Sequence, residues 1–369
     1  MFFVFGVKKE EGECMKIAII GFGGMGEWHA QRIMEYAESD SSQETLELSG
    51  IYDINRNRQA LALQKGIKVF STIEEIWKDK EIEAVLIAVP NDLHKEYVFA
   101  ASKAKKHIIC EKPVALSSQE AESMYDVAEK EGVILSVHQN RRWDEDFLTV
   151  KNLIETKQIG DVYLIESRVM GANGIPGDWR KKKSQGGGMM LDWGVHLIDQ
   201  ALQMINSEVK SLYCEYSYIY GEEVEDGCTL TLNFVNGIKY RIVIATDCFR
   251  NLPRWQVYGT EGTATVKDWD VSGGITCCLV KKDEKIAGIK AGNGFTRTMA
   301  PRDGETVRES ELTIVRAESW AYYRNFISSC RKIEPCKIKR EEVLRVFRLM
   351  EIASVAAETD IVIKGPFNI

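Results

Sequence analysis

Asp192 and His196 stand four residues apart, just behind three consecutive glycines, Gly186-Gly187-Gly188. On a helix that spacing puts both side chains on one face. A carboxylate beside an imidazole raises its proton affinity and fixes its orientation, as a general base requires. The chemistry available to such a pair is removal of a proton from a hydroxyl. Asp and His meet at this spacing by chance in many helices. Two features far upstream, Lys112 and a glycine-rich loop, give the pair weight.

The loop is Gly21-x-Gly23-x-x-Gly26, between an apolar run at 16–20 and a helix-like run at 27–37. A dinucleotide fingerprint sits in that context. Gly21 permits the tight turn, Gly23 lets the backbone approach a pyrophosphate, and Gly26 lets helix and strand pack closely. The helix N-terminus then faces the phosphates. Asp53 ends the next strand, further past Gly26 than the usual interval of about 20. The loop at 39–45 accounts for the excess. A carboxylate there binds ribose hydroxyls and repels a 2′-phosphate, which favours NAD over NADP. Arg56 and Arg58 nearby temper that preference.

The elements that must position these groups come in two patterns. Strands are expected at 16–20, 46–52, 68–70, 84–89, 107–110 and 133–137. Helices are expected between them at 27–37, 56–65, 95–104 and 118–131, with Ser71 and Glu74 capping one more. Alternation with short connections predicts a doubly wound parallel sheet. After His138 a helix at 145–156 leads to strands that alternate apolar with polar at 162–169, 209–220, 228–234, 238–246, 255–258 and 263–266. These suit a large, mostly antiparallel open sheet with one covered face, whose other face could join subunits. Residues 287–310 read as a polar surface excursion, and helices at 317–330 and 340–358 close the chain. The fold class is α/β. The domains are a loose extension at 1–14, a Rossmann domain at 15–137, and a substrate-binding and oligomerisation domain at 138–369.

Composition bounds the function. The 369 residues are 44% hydrophobic and 28% charged, which supports a core in each of two domains. A net charge of −7 argues against nucleic acid or an acidic membrane surface as partner. No apolar run approaches the roughly 18 residues of a membrane span. The opening 1–7 is apolar but has neither a basic start nor a cleavage site. Nine cysteines without a Cys-x-x-Cys framework fit a reducing cytoplasm. No metal-binding spacing is present.

Four motifs then occur in order: the glycine loop, Pro90-Asn91-x-x-His94, Glu111-Lys112-Pro113, and Gly186-Gly187-Gly188 leading to Asp192-x-x-x-His196. Asp178-Trp179-Arg180 and Tyr258-Gly259-Thr260-Glu261-Gly262 accompany them. Together they resemble the glucose–fructose oxidoreductase, inositol dehydrogenase and rhizopine-catabolism family (Gfo/Idh/MocA), from about Lys16 to Gly365. The Glu-Lys-Pro and Asp-x3-His elements together carry most of the specificity. The resemblance implies a Rossmann domain followed by an α/β domain, assembled as a dimer or tetramer. It implies that Gly21, Phe22, Gly23, Gly24, Met25, Gly26, Asp53, Pro90, Asn91, His94, Glu111 and Lys112 hold NAD. It implies that Lys112, Asp192 and His196 are catalytic: His196 takes the alcohol proton, Lys112 stabilises the oxygen, and Asp192 orients His196 or binds a substrate hydroxyl.

Other residues keep two readings. Asn140, Arg141, Trp143 and Trp179, with Asp192 and His196, are expected to meet substrate. Tryptophans beside the motifs, Trp28 and Trp193 among them, suit a sugar ring or an aromatic aglycone, or the core. Arg142 lines the cleft or braces the domains. Asp199 supports His196 or is a surface charge. Lys181-Lys182-Lys183 reads as a solvated loop. The expected reaction is NAD-dependent oxidation of a secondary hydroxyl on a sugar, glycoside or cyclic polyol. Alternatives are an enzyme that recycles a tightly held NAD, in transhydrogenation or elimination, and a non-catalytic sugar- or nucleotide-sensing regulator.

Overall fold

The structure is a computed structural model that describes residues 14–39, 45–279, 287–300, 302 and 304–367. Of the expected extension at 1–14, all but Cys14 lies outside the described residues, as does most of the loop at 39–45.

Apolar runs too continuous for a one-faced sheet form the first layer. Strands β1 (Met15–Ile20), β2 (Leu46–Tyr52), β3 (Ala84–Ile87), β4 (His107–Cys110) and β5 (Leu135–Val137) pair in parallel, in the order β2-β1-β3-β4-β5. Ile17 to Ile20 and all four residues of β3 are fully buried, because helices cover both faces. Those helices are α1 (Gly24–Ser39), α2 (Arg56–Gln64), α3 (Ile73–Lys78), α4 (His94–Lys103) and α5 (Ser118–Glu131). The Ser117 side chain caps α5 by accepting from the Glu120 amide.

Two local expectations shift. The strand expected at 68–70 is a single bridge between Val69 and Ile51. The chain there turns straight into α3, leaving no length for a ladder. The cap of α3 is Thr72 with Glu75, one residue beyond Ser71 and Glu74, and both halves of the reciprocal box are formed.

After α6 (Glu145–Glu155) comes the second sheet. It is built from β6 (Val162–Met170), then, past α7 (Val195–Met204), from β7 (Val209–Ser217), β8 (Gly227–Phe234), β9 (Lys239–Ala245), β10 (Trp255–Gly259), β11 (Gly262–Val266) and β12 (Gly273–Cys278). A small hairpin, β13 (Ile289–Ala291) with β14 (Gly294–Thr296), precedes edge strand β15 (Val307–Ser310). Helices α8 (Ala321–Cys330) and α9 (Arg340–Thr359) and the short β16 (Ile363–Lys364) follow. The nine strands run β15-β12-β11-β10-β6-β9-β8-β7-β16, and β6 with β9 is the parallel pair. Residues 287–310 are thus partly ordered into sheet. The sequence hides this because β15 is the charged edge strand Val-Arg-Glu-Ser; β12, earlier in the chain, is hidden because it opens on two glycines.

Alternation works as expected in the central strands: Cys228, Leu230, Leu232 and Phe234 of β8 point inward. Helices α6, α7 and α9 cover that inner face. Helix α9 serves both cores. Phe347 packs with the first layer, while Leu349 and Ala353 pack with the second. Tyr322, Tyr323 and Phe326 of α8 return to the first core, late in the chain though they are. Helix α8 begins at Ala321 rather than 317 because Trp320 takes a left-handed backbone, φ 63°. Among the described residues no helix is long and apolar enough to cross a membrane. All nine cysteines are free thiols.

Candidate active site

The glycine loop closes the carboxyl end of β1. Gly21 has φ +91°, and a Cβ there would meet the Ala88 carbonyl oxygen at 2.4 Å. A Cβ on Gly26 would lie 2.0 Å from the Gly21 oxygen, so α1 could not approach the turn. Gly23, Gly24 and Met25 face a cavity of about 680 Å³, together with Asp53, Arg58, Pro90, Asn91, Glu111, Lys112, Trp179, Arg180 and Asp192. The shape suits a dinucleotide: a glycine floor, the N-terminus of α1, and a carboxylate at the end of β2. Asp53 is fixed by the amides of Phe22, at 2.6 Å, and Asn55, at 2.7 Å. Arg58 donates to the Phe22 carbonyl and so stands at the same end of the cavity.

Lys112 leaves β4 at the opposite end. Its Nζ donates to Asp192 Oδ1 and to the Asp192 carbonyl, each at 2.8 Å. Arg180 Nε lies 3.5 Å from the second Asp192 oxygen. Burial disfavours the Asp192 carboxylate, but Lys112 and then Arg180 outweigh it and hold the carboxyl below its ordinary value. The expected Asp192–His196 pair is therefore replaced. Two cations attract the carboxylate more strongly than a neutral imidazole, and residues 190–194 form a π turn rather than regular α-helix. His196 instead hydrogen-bonds Gln139 Oε1 through Nδ1, at 3.1 Å. Burial, then the Lys112 and Arg141 charges, hold His196 well below the ordinary histidine range. It is neutral at pH 7, the state a base must start from.

Glu111 lines the cavity floor but is itself tied down. Its Oε1 accepts from His29 Nε2 at 2.7 Å and from His138 Nδ1 at 2.9 Å, and its Oε2 accepts from the Lys112 amide. Tyr323 meets the other nitrogen of His29 at 2.6 Å. Burial alone would raise the Glu111 carboxyl, yet His138 and His29 hold it well below the carboxylate range. His29, Glu111 and His138 are types that ligate metals, and their ligand atoms lie within 4.8 Å of one another. The two short contacts are hydrogen-bond lengths, and the carboxylate is satisfied by N–H donors as it stands.

The cluster predicts an acid limb in stability. Burial, with His138, lowers His29 to about 4, against about 6.5 in an unfolded chain. Between those values the unfolded state binds a proton that the folded state refuses. Stability is complete above pH 6.5 and falls as pH drops toward 4, by about 1.4 kcal/mol per unit for this group. Below about pH 4.5 Glu111 adds a loss of the same sign. Urea unfolding at pH 7, 6, 5 and 4 checks this; a flat profile would contradict it.

Other expected residues are placed as follows. Asn91 is buried and donates to the Gly186 carbonyl at 3.0 Å, clasping the triple glycine to the cofactor side. His94 braces two loops, with its nitrogens 3.0 Å from the carbonyls of Pro113 and Val89, and does not face the cavity. Phe22 and Gly26 shape the loop from behind. Arg142 is a brace: it forks onto Asp199 at 2.6 and 2.7 Å and reaches Glu342. Asp199 is accordingly buried and not a surface charge. Trp143 meets Tyr322 edge to face, ring planes at 83°, against the first core. Trp143, Asn140 and the buried His196 line neither of the two cavities described. Lys181 pairs with Glu222.

A second cavity of about 470 Å³ lies beyond Trp193, lined by Arg141, Met170, Met189, Thr246 and Trp269 among others. The Arg141 guanidinium sits over both indoles, 4.4 Å from Trp193 and 4.8 Å from Trp269. Sequence reasoning missed Trp269, Arg180 as an Asp192 partner, and Gln139. Gln139 adjoins the Asn140-Arg141 run, but nothing in its type marks it.

Comparison with known proteins follows the same lines. Residues 15–139 match the model of an oxidoreductase family with an NAD-binding Rossmann fold. Residues 147–265 match the GFO/IDH/MocA C-terminal domain. The structure of an NAD-binding protein from Listeria innocua is 42% identical, with a TM-score of 0.90, covering 96% of this chain and 100% of that one. The scyllo-inositol 2-dehydrogenase (NADP(+)) IolW of Bacillus subtilis is 28% identical over 289 residues, 78% of this chain and 80% of that protein. The myo-inositol 2-dehydrogenase of Thermotoga maritima is 29% identical over 265 residues, 67% of this chain and 74% of that protein.

Proposed function

Because the chain belongs to the Gfo/Idh/MocA family of NAD-binding oxidoreductases, we propose that it oxidises a secondary ring hydroxyl of a sugar, glycoside or cyclic polyol to a ketone, reversibly. The observation that carries this is the placement of Lys112. Its ammonium is pinned by Asp192 at the carboxyl edge of the parallel sheet, in the cavity floored by the glycine loop. NAD, when bound there, supplies the hydride acceptor. His196 takes the hydroxyl proton, and Lys112 donates to the same oxygen and stabilises the charge that develops on it. Asp192 keeps the ammonium in place and offers its remaining capacity to a neighbouring substrate hydroxyl. Arg141, Trp193 and Trp269 supply stacking faces and a donor for the rest of the substrate. The inositol specificity named for two relatives supports a cyclic polyol. In this reading residues 15–137 hold the dinucleotide and 138–369 the substrate. Assembly as a dimer or tetramer uses the outer face of the second sheet, where Leu164 and Tyr258 stand side by side.

A screen of inositols, hexoses and glycosides with NAD+, followed at the NADH absorbance, tests the reading. Net NADH from at least one compound is expected. Turnover without net NADH would point instead to an internally recycled cofactor, and binding without turnover to a regulator. Asp53 sets the cofactor preference. Asp53→Ser should weaken NAD binding about tenfold and shift the NADP-to-NAD ratio of kcat/KM by about a hundredfold toward NADP, because Arg58 remains beside the ribose end. A ratio unchanged in the variant would refute that assignment.

A further inference from the structure

The base proposed above needs more than a location. A neutral imidazole has one N–H and one lone pair, and only the nitrogen with the lone pair can take a proton. Side chains in water favour the hydrogen on Nε2, the wrong arrangement for a base that works through that nitrogen. Gln139 meets His196 at Nδ1, 3.1 Å from its amide oxygen. Both side chains are buried, at 1% and 3% exposure, so water cannot substitute for the contact. Gln139 is itself held by the backbone where the chain leaves β5: its amide donates to Val137 and its carbonyl accepts from Arg142. With the amide oxygen turned to the ring and the amide nitrogen buried without a protein partner, the contact pairs an acceptor with Nδ1, which then carries the hydrogen.

We infer that Gln139 is a positioning residue for His196, holding the imidazole in the Nδ1–H tautomer so that Nε2 presents its lone pair to the substrate hydroxyl. The inference rests on the dehydrogenase reading and adds a residue to it. It also explains why an amide stands there rather than a carboxylate. The charged and titratable groups facing His196 are Lys112 and Glu111 from the turn after β4, His138 and Arg141 from the segment after β5, and Asp192 one turn back on its own segment. Lys112 and Arg141 disfavour the imidazolium, and Asp192 is already committed to Lys112 and Arg180. A carboxylate at position 139 would favour the imidazolium and fill the base before substrate arrives. The amide fixes the tautomer and adds no charge.

The test reads the tautomer directly. The protein has five histidines, few enough to resolve by nitrogen NMR of histidine-labelled, NAD+-loaded protein, and His196→Gln identifies the signal by its loss. The wild type should show hydrogen on Nδ1. Gln139→Met, similar in volume but without the oxygen, should move the hydrogen to Nε2 in most molecules. It should lower kcat about ten- to a hundredfold with KM changed less than about threefold. Gln139→Glu keeps an acceptor, so the tautomer should be retained and the lower limb of kcat against pH should move to higher pH. Hydrogen on Nε2 in the wild type, or an Nδ1–H signal unchanged in Gln139→Met, would overturn the inference. The nitrogen shifts need no substrate, so a failed activity screen and a wrong tautomer are separate results.

Discussion

Lys112→Met lowers kcat/KM by about a thousandfold while the NAD dissociation constant changes by less than about threefold. The size follows from what is removed. Donors aimed at an oxygen that gains charge in the transition state contribute about 10²–10³ in rate each. Lys112 is such a donor, and it also holds Asp192 through two contacts of 2.8 Å. Methionine keeps the volume of the chain, so the cavity walls remain. The glycine loop and Asp53, which bind the far end of the dinucleotide, are untouched. Steady-state kinetics with whichever polyol the wild type oxidises, together with a binding titration for NAD, check both halves. A loss confined to KM would mean that Lys112 binds substrate without helping the chemistry.

Glu111→Ala is the second large effect, and it concerns stability. One buried carboxylate satisfies two imidazole N–H groups and the Lys112 amide. Removing it strands two buried imidazole donors and the part-buried Lys112 amide. Breaking one side of a buried charged network costs about 3–5 kcal/mol, well above an ordinary surface change. Glu111→Gln retains an acceptor and should lose about half as much. Urea unfolding at pH 7 measures both. In both variants the limb between pH 6.5 and 4 should remain, because burial lowers His29 and Glu111 only opposes that, while the added loss below about pH 4.5 should disappear. A loss below about 0.5 kcal/mol in the alanine variant would show that the cluster is incidental.

The sequence spoke most clearly where local physics determines structure. The apolar run read as a strand at 84–89 is a buried strand at Ala84–Ile87, and the helix read at 118–131 spans those residues behind a Ser117 cap. The positions of Lys112 and the glycine loop were readable because a turn at a strand end needs particular residues. Pairings across the fold were not. Asp192 and His196 share a spacing that suggests partnership, yet their partners come from Lys112, Arg180 and Gln139, which only tertiary packing brings near. Trp269 follows β11 in a segment without periodicity and reaches the second cavity only because the sheet carries it there. Edge strands such as Val307–Ser310 are polar because they sit at an edge, which removes the alternation that would reveal them. The Glu111 cluster joins α1, β4, the end of β5 and α8, four elements spread over most of the chain.

The central claim is that a carbon held between Lys112 and His196 gives its hydrogen to the nicotinamide. The direct measurement is to supply a substrate deuterated at the carbinol carbon and follow the label by mass spectrometry. The account predicts deuterium on the reduced nicotinamide, with a slower rate than for the protiated compound, and no such transfer in Lys112→Met beyond about a thousandth of the wild-type rate. Deuterium released to water, or transfer at the wild-type rate in the variant, would contradict it.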